Sequence, residues 1–465
     1  MDLIQRLERL PMSRPQLRLL AQGGLGYTFD AMDGAIIAFI LPVVTVLWGL
    51  TKGQTGLLGS ALLVGYLFGA LAAGTLGDIV GRKTIMMSAL AVYAVATVIA
   101  AMSPNWQFLF AFRTLAGFGT GAESAIIAPF LSEFIAAKYR GRFIGSLAGF
   151  FSFGYVGAAM LSFFIIPTHD GSWRTVQVLT ALPIAMLLWW RKSIPESPRF
   201  LLSHGRVDEA EAVVRRLEEE VERATGRPLP PVPAPTAPPV QESAGSIMTN
   251  LAALWRGPMA KRTGVTWALW FCLTFAYYGF FTWIPSLLVA QGMTLTKSFG
   301  YSLLIYIMQI PGYFSAAFLS EKLDRKKTIA LYLTGGALSA LGLANAGGDA
   351  GILVFASLLS FFMNGAYAGL YSYTPEVYPT AIRSTGMGAA SAFGRVGGIA
   401  APIIIGFAYA NIGFAGVFVL TTVVLLVGVL AVLVFGLATA GRTLEEISEL
   451  GLACPEVGFT KEKLS

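Results

Sequence analysis

Gly77-Asp-Ile-Val-Gly-Arg-Lys83 and Ser320-Glu-Lys-Leu-Asp-Arg-Lys326 are two versions of one charged passage. Each stands at the end of a long apolar run. The first is followed by Glu133 and Arg140, the second by Glu376 and Arg383. Four charged positions keep a single offset: 78 to 321, 82 to 325, 133 to 376 and 140 to 383. A membrane unit written twice in one chain is the pattern of a transporter built from two related halves.

Composition agrees with a membrane setting. Of 465 residues, 55% are hydrophobic and only 13% are charged, where a soluble domain carries about 25% charged residues. Mean hydropathy is +0.66. The apolar runs approach or exceed the roughly 18 residues that read as membrane spans. Backbone polar groups in lipid must be satisfied within the span, so these runs are helices. The 52 glycines fit close backbone approach between such helices.

The sequence predicts an all-α membrane protein of twelve transmembrane helices in two pseudo-symmetric six-helix halves. The first six spans cover 21–48, 55–77, 84–101, 106–127, 143–166 and 175–190. The second six cover 263–289, 298–319, 328–344, 351–371, 386–410 and 414–437. One set of short loops holds only Lys52, Arg174 and Lys297, and Arg113 and Arg395 lie within spans. The remaining Lys and Arg fall in the opposite loops, the termini and the central segment. That bias places both termini and the central loop in the cytoplasm. It also explains the basic balance without a nucleic-acid partner.

Residues 1–192 form the first half and 263–440 the second, with a linker at 193–262 and a tail at 441–465. In the linker, Val207, Ala210, Val213, Val214 and Leu217 recur at helical spacing among Glu and Arg, which predicts a surface helix over 206–225. Seven prolines within 228–239 make an extended, stiff stretch. A second amphipathic helix is expected over 246–262, and a short helix over 443–450. Cys272 and Cys454 lie far apart and build no disulfide framework or metal site; His169 and His204 are isolated. No cofactor is called for, and no phosphate-binding Gly-rich loop is seen. The stretch from Met1 to Arg18 lacks a cleavable signal pattern.

Charges inside spans cost at least about 2.5–3.5 kcal/mol on insertion scales and mark function. The candidates are Asp30, Asp33, Arg113, Glu123 and Arg395. Asp30 and Asp33 share one helix face and form a candidate proton-coupling site with Glu123, for which internal pairing stays open. Arg395, near mid-depth of span eleven, presents a planar fork suited to a carboxylate. Two roles are open for it: substrate ligand, or internal partner of Asp33 or Glu123. Arg113 reads as part of a buried structural network. Span seven is dense in aromatic residues; Tyr277, Tyr278 and Phe281 are the pocket candidates, with Tyr306, Gln309, Asn364 and Tyr367 as further candidates in spans eight and ten.

The stretch Gly74-Thr-Leu-Gly-Asp78-Ile-Val-Gly81-Arg82-Lys83 resembles the best-known motif of the major facilitator superfamily. Arg113, Gly117, Gly119, Gly121 and Glu123 in span four, with Pro195-Glu196-Ser197-Pro198-Arg199 after span six, resemble its branch of sugar porters and organic ion transporters. Gly-Tyr-Thr-Phe-Asp30-Ala-Met-Asp33 in span one and Trp270 to Ser286 in span seven look like the bacterial niacin (nicotinate) transporter group. The early glutamine pair of sugar porters is absent from span seven. Arg383-Ser-Thr-Gly to Arg395 and Pro402 resembles span eleven of the animal organic ion transporters, in which an Arg at the position of Arg395 goes with anions.

The resemblance implies the major facilitator fold and import of a small aromatic or heteroaromatic carboxylate, nicotinate first, by proton symport with alternating access. The partners would be the anion, protons and the bilayer of a bacterial inner membrane, and the state a monomer. It further implies a cytoplasmic gate of Asp78, Arg82, Glu133 and Arg140, repeated as Glu321, Arg325, Glu376 and Arg383. Asp78 is expected to pair with Arg140, and Glu321 with Arg383. The alternatives are another aromatic acid such as a hydroxybenzoate, a general organic ion carrier, or a membrane receptor that binds without moving its ligand. An enzyme is not expected.

Overall fold

The computed structural model describes residues 3–232, 247–379 and 382–438. These residues form helices and no strand. In chain order the α-helices are α1 (Leu3–Glu8), α2 (Arg14–Leu47), α3 (Lys52–Val80), α4 (Arg82–Ala101), α5 (Trp106–Ser132), α6 (Ala137–Ile165), α7 (Ser172–Thr180), α8 (Met186–Ser193), α9 (Pro198–Ser203) and α10 (Val207–Thr225). Then come α11 (Ile247–Ala253), α12 (Pro258–Ala290), α13 (Leu295–Ile307), α14 (Gln309–Lys322), α15 (Arg325–Ala344), α16 (Gly348–Val377) and α17 (Arg383–Leu430). The expected tail helix at 443–450 lies outside the described residues.

Among the described residues, nine helical stretches are long and apolar enough to cross a membrane. They are consistent with twelve passages, because expected spans four, six, eleven and twelve take unexpected forms. Span six is broken: α7 and α8 are joined by a tight turn over Leu182–Ala185 that contains Pro183, and a proline inside a helix removes a backbone bond. Spans eleven and twelve run together as α17, bent at Gly413, whose φ of +64° is open to glycine at little cost. Span four, α5, carries Arg113 and Glu123 and is less apolar. Span eight is also interrupted, between α13 and α14 at Met308.

Local sequence sets the helix ends. Thr51 and Gln54 cap each other's backbone at the start of α3, which satisfies two otherwise unpaired N–H groups. Asn105 accepts from Phe108 N at 2.9 Å to start α5. Gly81, at φ +108°, turns the chain sharply between α3 and α4.

The chain divides into two compact units. One takes Met1–Pro239, Tyr278–Met308 and Gly398–Val417; the other takes Val240–Tyr277, Gln309–Gly397 and Phe418–Ser465. In the first unit α3 and α5 cross so closely that Gly65 and Gly69 lie on the Thr114 and Phe118 carbonyls. Reciprocally, Gly117 and Gly121 lie on the Leu62 and Tyr66 carbonyls. Side chains at these four positions would force the helices apart, the small-residue logic of membrane packing. Within the same unit, segments 278–308 and 398–417 pack on the helix ends around Lys52. Trp283 donates to Pro402 O at 3.1 Å, and Phe39 meets Phe299 and Tyr306 edge-on.

The amphipathic reading of 206–225 is met by α10, which buries Ala210, Val214, Leu217 and Val221 with Leu3, Leu7 and Leu10 in one apolar cluster. Charge locks this contact. Arg6 Nη2 lies 2.5 Å and Arg9 Nη2 2.7 Å from the Glu218 carboxylate. Burial pushes the Glu218 carboxyl up, but the two guanidiniums together hold it below the usual carboxylate range. Folding therefore favours its ionised form. This contribution is present above about pH 4.3, the ordinary Glu value, and is lost as pH falls through the lower folded value. Glu218→Ala should loosen α1 by about 1–3 kcal/mol, since it removes the carboxylate that both guanidiniums bond. Hydrogen exchange at residues 3–10 checks this: faster exchange confined to α1 and α10 is expected, and unchanged protection would refute it.

In the second unit, α14 and α16 approach where Gly312 lies on the Phe361 carbonyl, and Gly365 lies under the Tyr332 ring. Trp270 on α12 donates its indole N–H to Thr374 Oγ1 at 3.0 Å, tying α12 to α16.

Candidate functional site

The carboxylates of span one lie in a fully enclosed polar cluster of the first unit. Asp33 and Arg113 are both 0% exposed. Arg113 Nη1 donates to Asp33 Oδ1 at 2.7 Å, and its Nη2 to the Asp33 backbone carbonyl at 2.6 Å. Thr180 and Thr97 hydroxyls donate to the same Oδ1 at 3.0 and 3.4 Å. The Tyr93 hydroxyl donates to the Thr180 carbonyl. Arg113 is thus part of a buried network, as the sequence reading had it. Of the two internal partners weighed for Arg395, Asp33 is engaged by Arg113.

Asp30 and Glu123 are held differently. Ser124 Oγ donates to Asp30 Oδ2 at 2.7 Å, and Tyr27 OH donates to the Ser124 carbonyl at 3.1 Å. Asp30 Oδ1 and both Glu123 carboxyl oxygens are buried without a protein hydrogen-bond partner. A side chain at Gly26, one helical turn before Asp30, would approach Glu123 Oε1 to 2.9 Å, so Glu123 rests directly on α2.

Aromatic and amide groups gather in the second unit. Tyr277 OH donates to Gln309 Oε1 at 3.3 Å, and the Tyr277 and Tyr367 rings meet edge-on at 5.1 Å. Tyr367 OH donates to Thr274 Oγ1 at 2.9 Å. Trp270 contacts the rings of Tyr367 and Tyr371. Asn364 is buried and donates to Ser360 O at 3.0 Å. Arg395 on α17 is half-buried; its neighbour Gly394 lies against Trp270 and Thr274. Arg395 is thereby at the crossing of α17 with the aromatic face of α12.

Phe281 and Tyr306 belong to the first unit. Tyr306 OH donates to the Phe281 carbonyl at 3.0 Å, and both rings contact Tyr155. Tyr278 is half-buried. Of the expected pocket residues, Tyr277, Gln309, Asn364, Tyr367 and Arg395 thus belong to the second unit, and Tyr278, Phe281 and Tyr306 to the first.

The repeated charges form matched pairs. Arg82 bonds Glu133, and Arg325 Nε lies 2.7 Å from Glu376 Oε1. Glu133 also accepts from the Ser197 hydroxyl, and Glu196 accepts the Lys83 backbone N–H at 3.1 Å. Pro195 to Arg199 and the Gly81 turn are thus one charged assembly. Arg140 engages Glu8 at 3.3 Å and donates to the Ser132 and Ile135 carbonyls. Its expected partner, the Asp78 side chain, lies outside the described residues, as does that of Glu321. Arg383 Nε donates to the Tyr378 carbonyl at 3.4 Å.

Sequence reasoning missed several members of these clusters. Thr97, Thr180 and Tyr93 come from other spans and carry no signal in a one-dimensional reading. Tyr371 was legible, since it stands one helical turn from Tyr367.

The "Sugar (and other) transporter" family model matches residues 27–450. The chain is 41% identical to the niacin transporter NiaP of Acinetobacter baylyi, over 96% of this chain and 100% of that one. It is 34% identical to the putative niacin/nicotinamide transporter NiaP of Bacillus subtilis, over 92% of this chain and 98% of that one. Its fold matches the inward open xylose transporter XylE from E. coli with a TM-score of 0.74 at 16% identity, over 94% of this chain and 100% of that chain. The relatives are transporters, not enzymes. The chain is a multi-pass membrane transporter and belongs to the sugar (and other) transporter family of the major facilitator superfamily, alongside the bacterial niacin transporters.

Proposed function

We propose that the protein imports a small aromatic or heteroaromatic carboxylate, nicotinate first, by proton symport and alternating access across a bacterial inner membrane. The observation that carries this reading is the likeness to the Acinetobacter baylyi niacin transporter along 96% of the chain. The chemistry of the second unit supports it. Arg395 supplies a planar cation for a carboxylate, and Trp270, Tyr277, Tyr367 and Tyr371 supply ring faces and edges for a flat heterocycle. Gln309 and Asn364 add amide groups for a ring nitrogen.

The two halves, 1–192 and 263–440, rock about the substrate as a monomer, with both termini, the linker 193–262 and the tail 441–465 on the cytoplasmic side. In that orientation Lys52 faces outward. The pairs Arg82–Glu133 and Arg325–Glu376, with Asp78, Arg140, Glu321 and Arg383, act as the cytoplasmic gate. Asp30, Asp33 and Glu123 are the acids available for proton coupling.

Uptake of labelled nicotinate into proteoliposomes tests this. Accumulation should require an acid exterior and be competed by other pyridine and benzene carboxylates but not by their amides. Accumulation that ignores the pH gradient would refute symport. Binding without uptake under any gradient would refute transport, and competition only by hydroxybenzoates would move the substrate to that class.

A further inference from the structure

We infer that the coupled proton is held by the Asp30–Glu123 carboxyl pair, while Asp33 serves as the ion-pair partner of Arg113; this rests on the proton-symport reading above. The ionisable groups of the cluster are Tyr27, Asp30 and Asp33 on α2, Tyr93 on α4, and Arg113 and Glu123 on α5. The broken span contributes Thr180 from α7, and α8 places Trp190 beside Gly26. Three carboxyls thus share one guanidinium.

Geometry decides which acid that guanidinium serves. Both Arg113 terminal nitrogens go to Asp33, and two threonine hydroxyls add to the same oxygen. Asp33 therefore has a cation and two hydroxyl donors on Oδ1, and only its Oδ2 is left without a partner. Glu123 has no donor on either oxygen, and Asp30 has only Ser124. Glu123 rests on Gly26, one turn from Asp30 on the same face of α2, and the two acids interact electrostatically. A buried carboxylate without a cation or donor is destabilised, and so is a pair of like charges. One proton bound between them removes both costs: a carboxylate of the pair becomes a carboxylic acid, and releasing the proton on the other side of the membrane reverses the step. Ser124 is the positioning residue, since it holds Asp30 while its chain neighbour Glu123 carries the free oxygens.

The test combines two readouts. In proteoliposomes, Glu123→Gln should lose the component of nicotinate accumulation that depends on the pH gradient, and Glu123→Asp, which keeps a carboxyl, should recover part of it. In the absence of substrate, infrared difference spectra of the purified protein should show the carbonyl band of a protonated carboxylic acid that titrates with pH. That band should vanish in Glu123→Gln and persist in Asp33→Asn. Gradient-driven accumulation that survives in Glu123→Gln overturns the inference, as does a band that persists there and vanishes in Asp33→Asn. If wild-type protein fails to move nicotinate at all, the substrate reading falls, and the infrared result still decides the pair.

Discussion

Arg113→Ala should destabilise the protein by on the order of 3–5 kcal/mol, the cost of leaving one member of a buried ion pair without its partner. Asp33 is 0% exposed, and Arg113 supplies the charge that offsets it. The variant also removes the hydrogen bond that Arg113 Nη2 makes to the Asp33 backbone carbonyl at 2.6 Å. Thermal unfolding in detergent should show a large drop, with poor recovery of folded protein from membranes. The double variant Arg113→Met with Asp33→Leu should regain much of the loss, because replacing both charges with apolar groups of similar size is often neutral. An Arg113→Ala protein that melts like wild type would remove the pair from the structural core. A double variant as unstable as the single one would show that the hydrogen bonds from Thr97 and Thr180 depend on the carboxylate itself.

Arg395→Ala should weaken nicotinate binding roughly 10- to 100-fold, corresponding to the loss of a charge-assisted hydrogen bond of about 1.5–3 kcal/mol. Nicotinamide, which has the same ring and no charge, provides the control. Binding of the amide should change little, so the preference for the acid should collapse. Titration of purified protein with both ligands measures the two affinities together. If the substitution weakens both equally, Arg395 shapes the crossing of α17 with α12 and does not read the carboxylate. Gly394 packs that crossing against Trp270 and Thr274, so a thermal melt on the same sample separates misfolding from lost recognition.

Much of the fold was legible because the membrane makes sequence unusually informative. Helices are the only elements that satisfy their own backbone in lipid, so apolar length alone located most spans. Exceptions arose where local chemistry cut across length. Pro183 breaks span six at a place where hydropathy is continuous, and the bend at Gly413 leaves α17 unbroken by hydrogen-bond pattern. The amphipathic α10 was legible for the opposite reason: its apolar positions recur at helical spacing among charges, and those are the residues it buries.

The site was legible in kind but not in partnership. Charges within spans one, four and eleven stood out because each is costly there. The constant offset marked Arg82, Glu133, Arg325 and Glu376 as corresponding charges of two halves, but only the structure shows that Arg82 pairs with Glu133 and Arg325 with Glu376. Nothing in the spacing linked Asp33 to Arg113, or Arg140 to Glu8, since helices distant in sequence become neighbours only through packing. Sequence by itself determined the helical membrane fold, the internal repeat and the set of charges that lipid would not tolerate without a use. Only tertiary structure decided which acid has a cation and which does not. Glycines at the α3–α5 crossing and the contacts of α2 with α5 fix those distances, and electrostatic pairing in a low-dielectric interior depends on distance rather than on order along the chain.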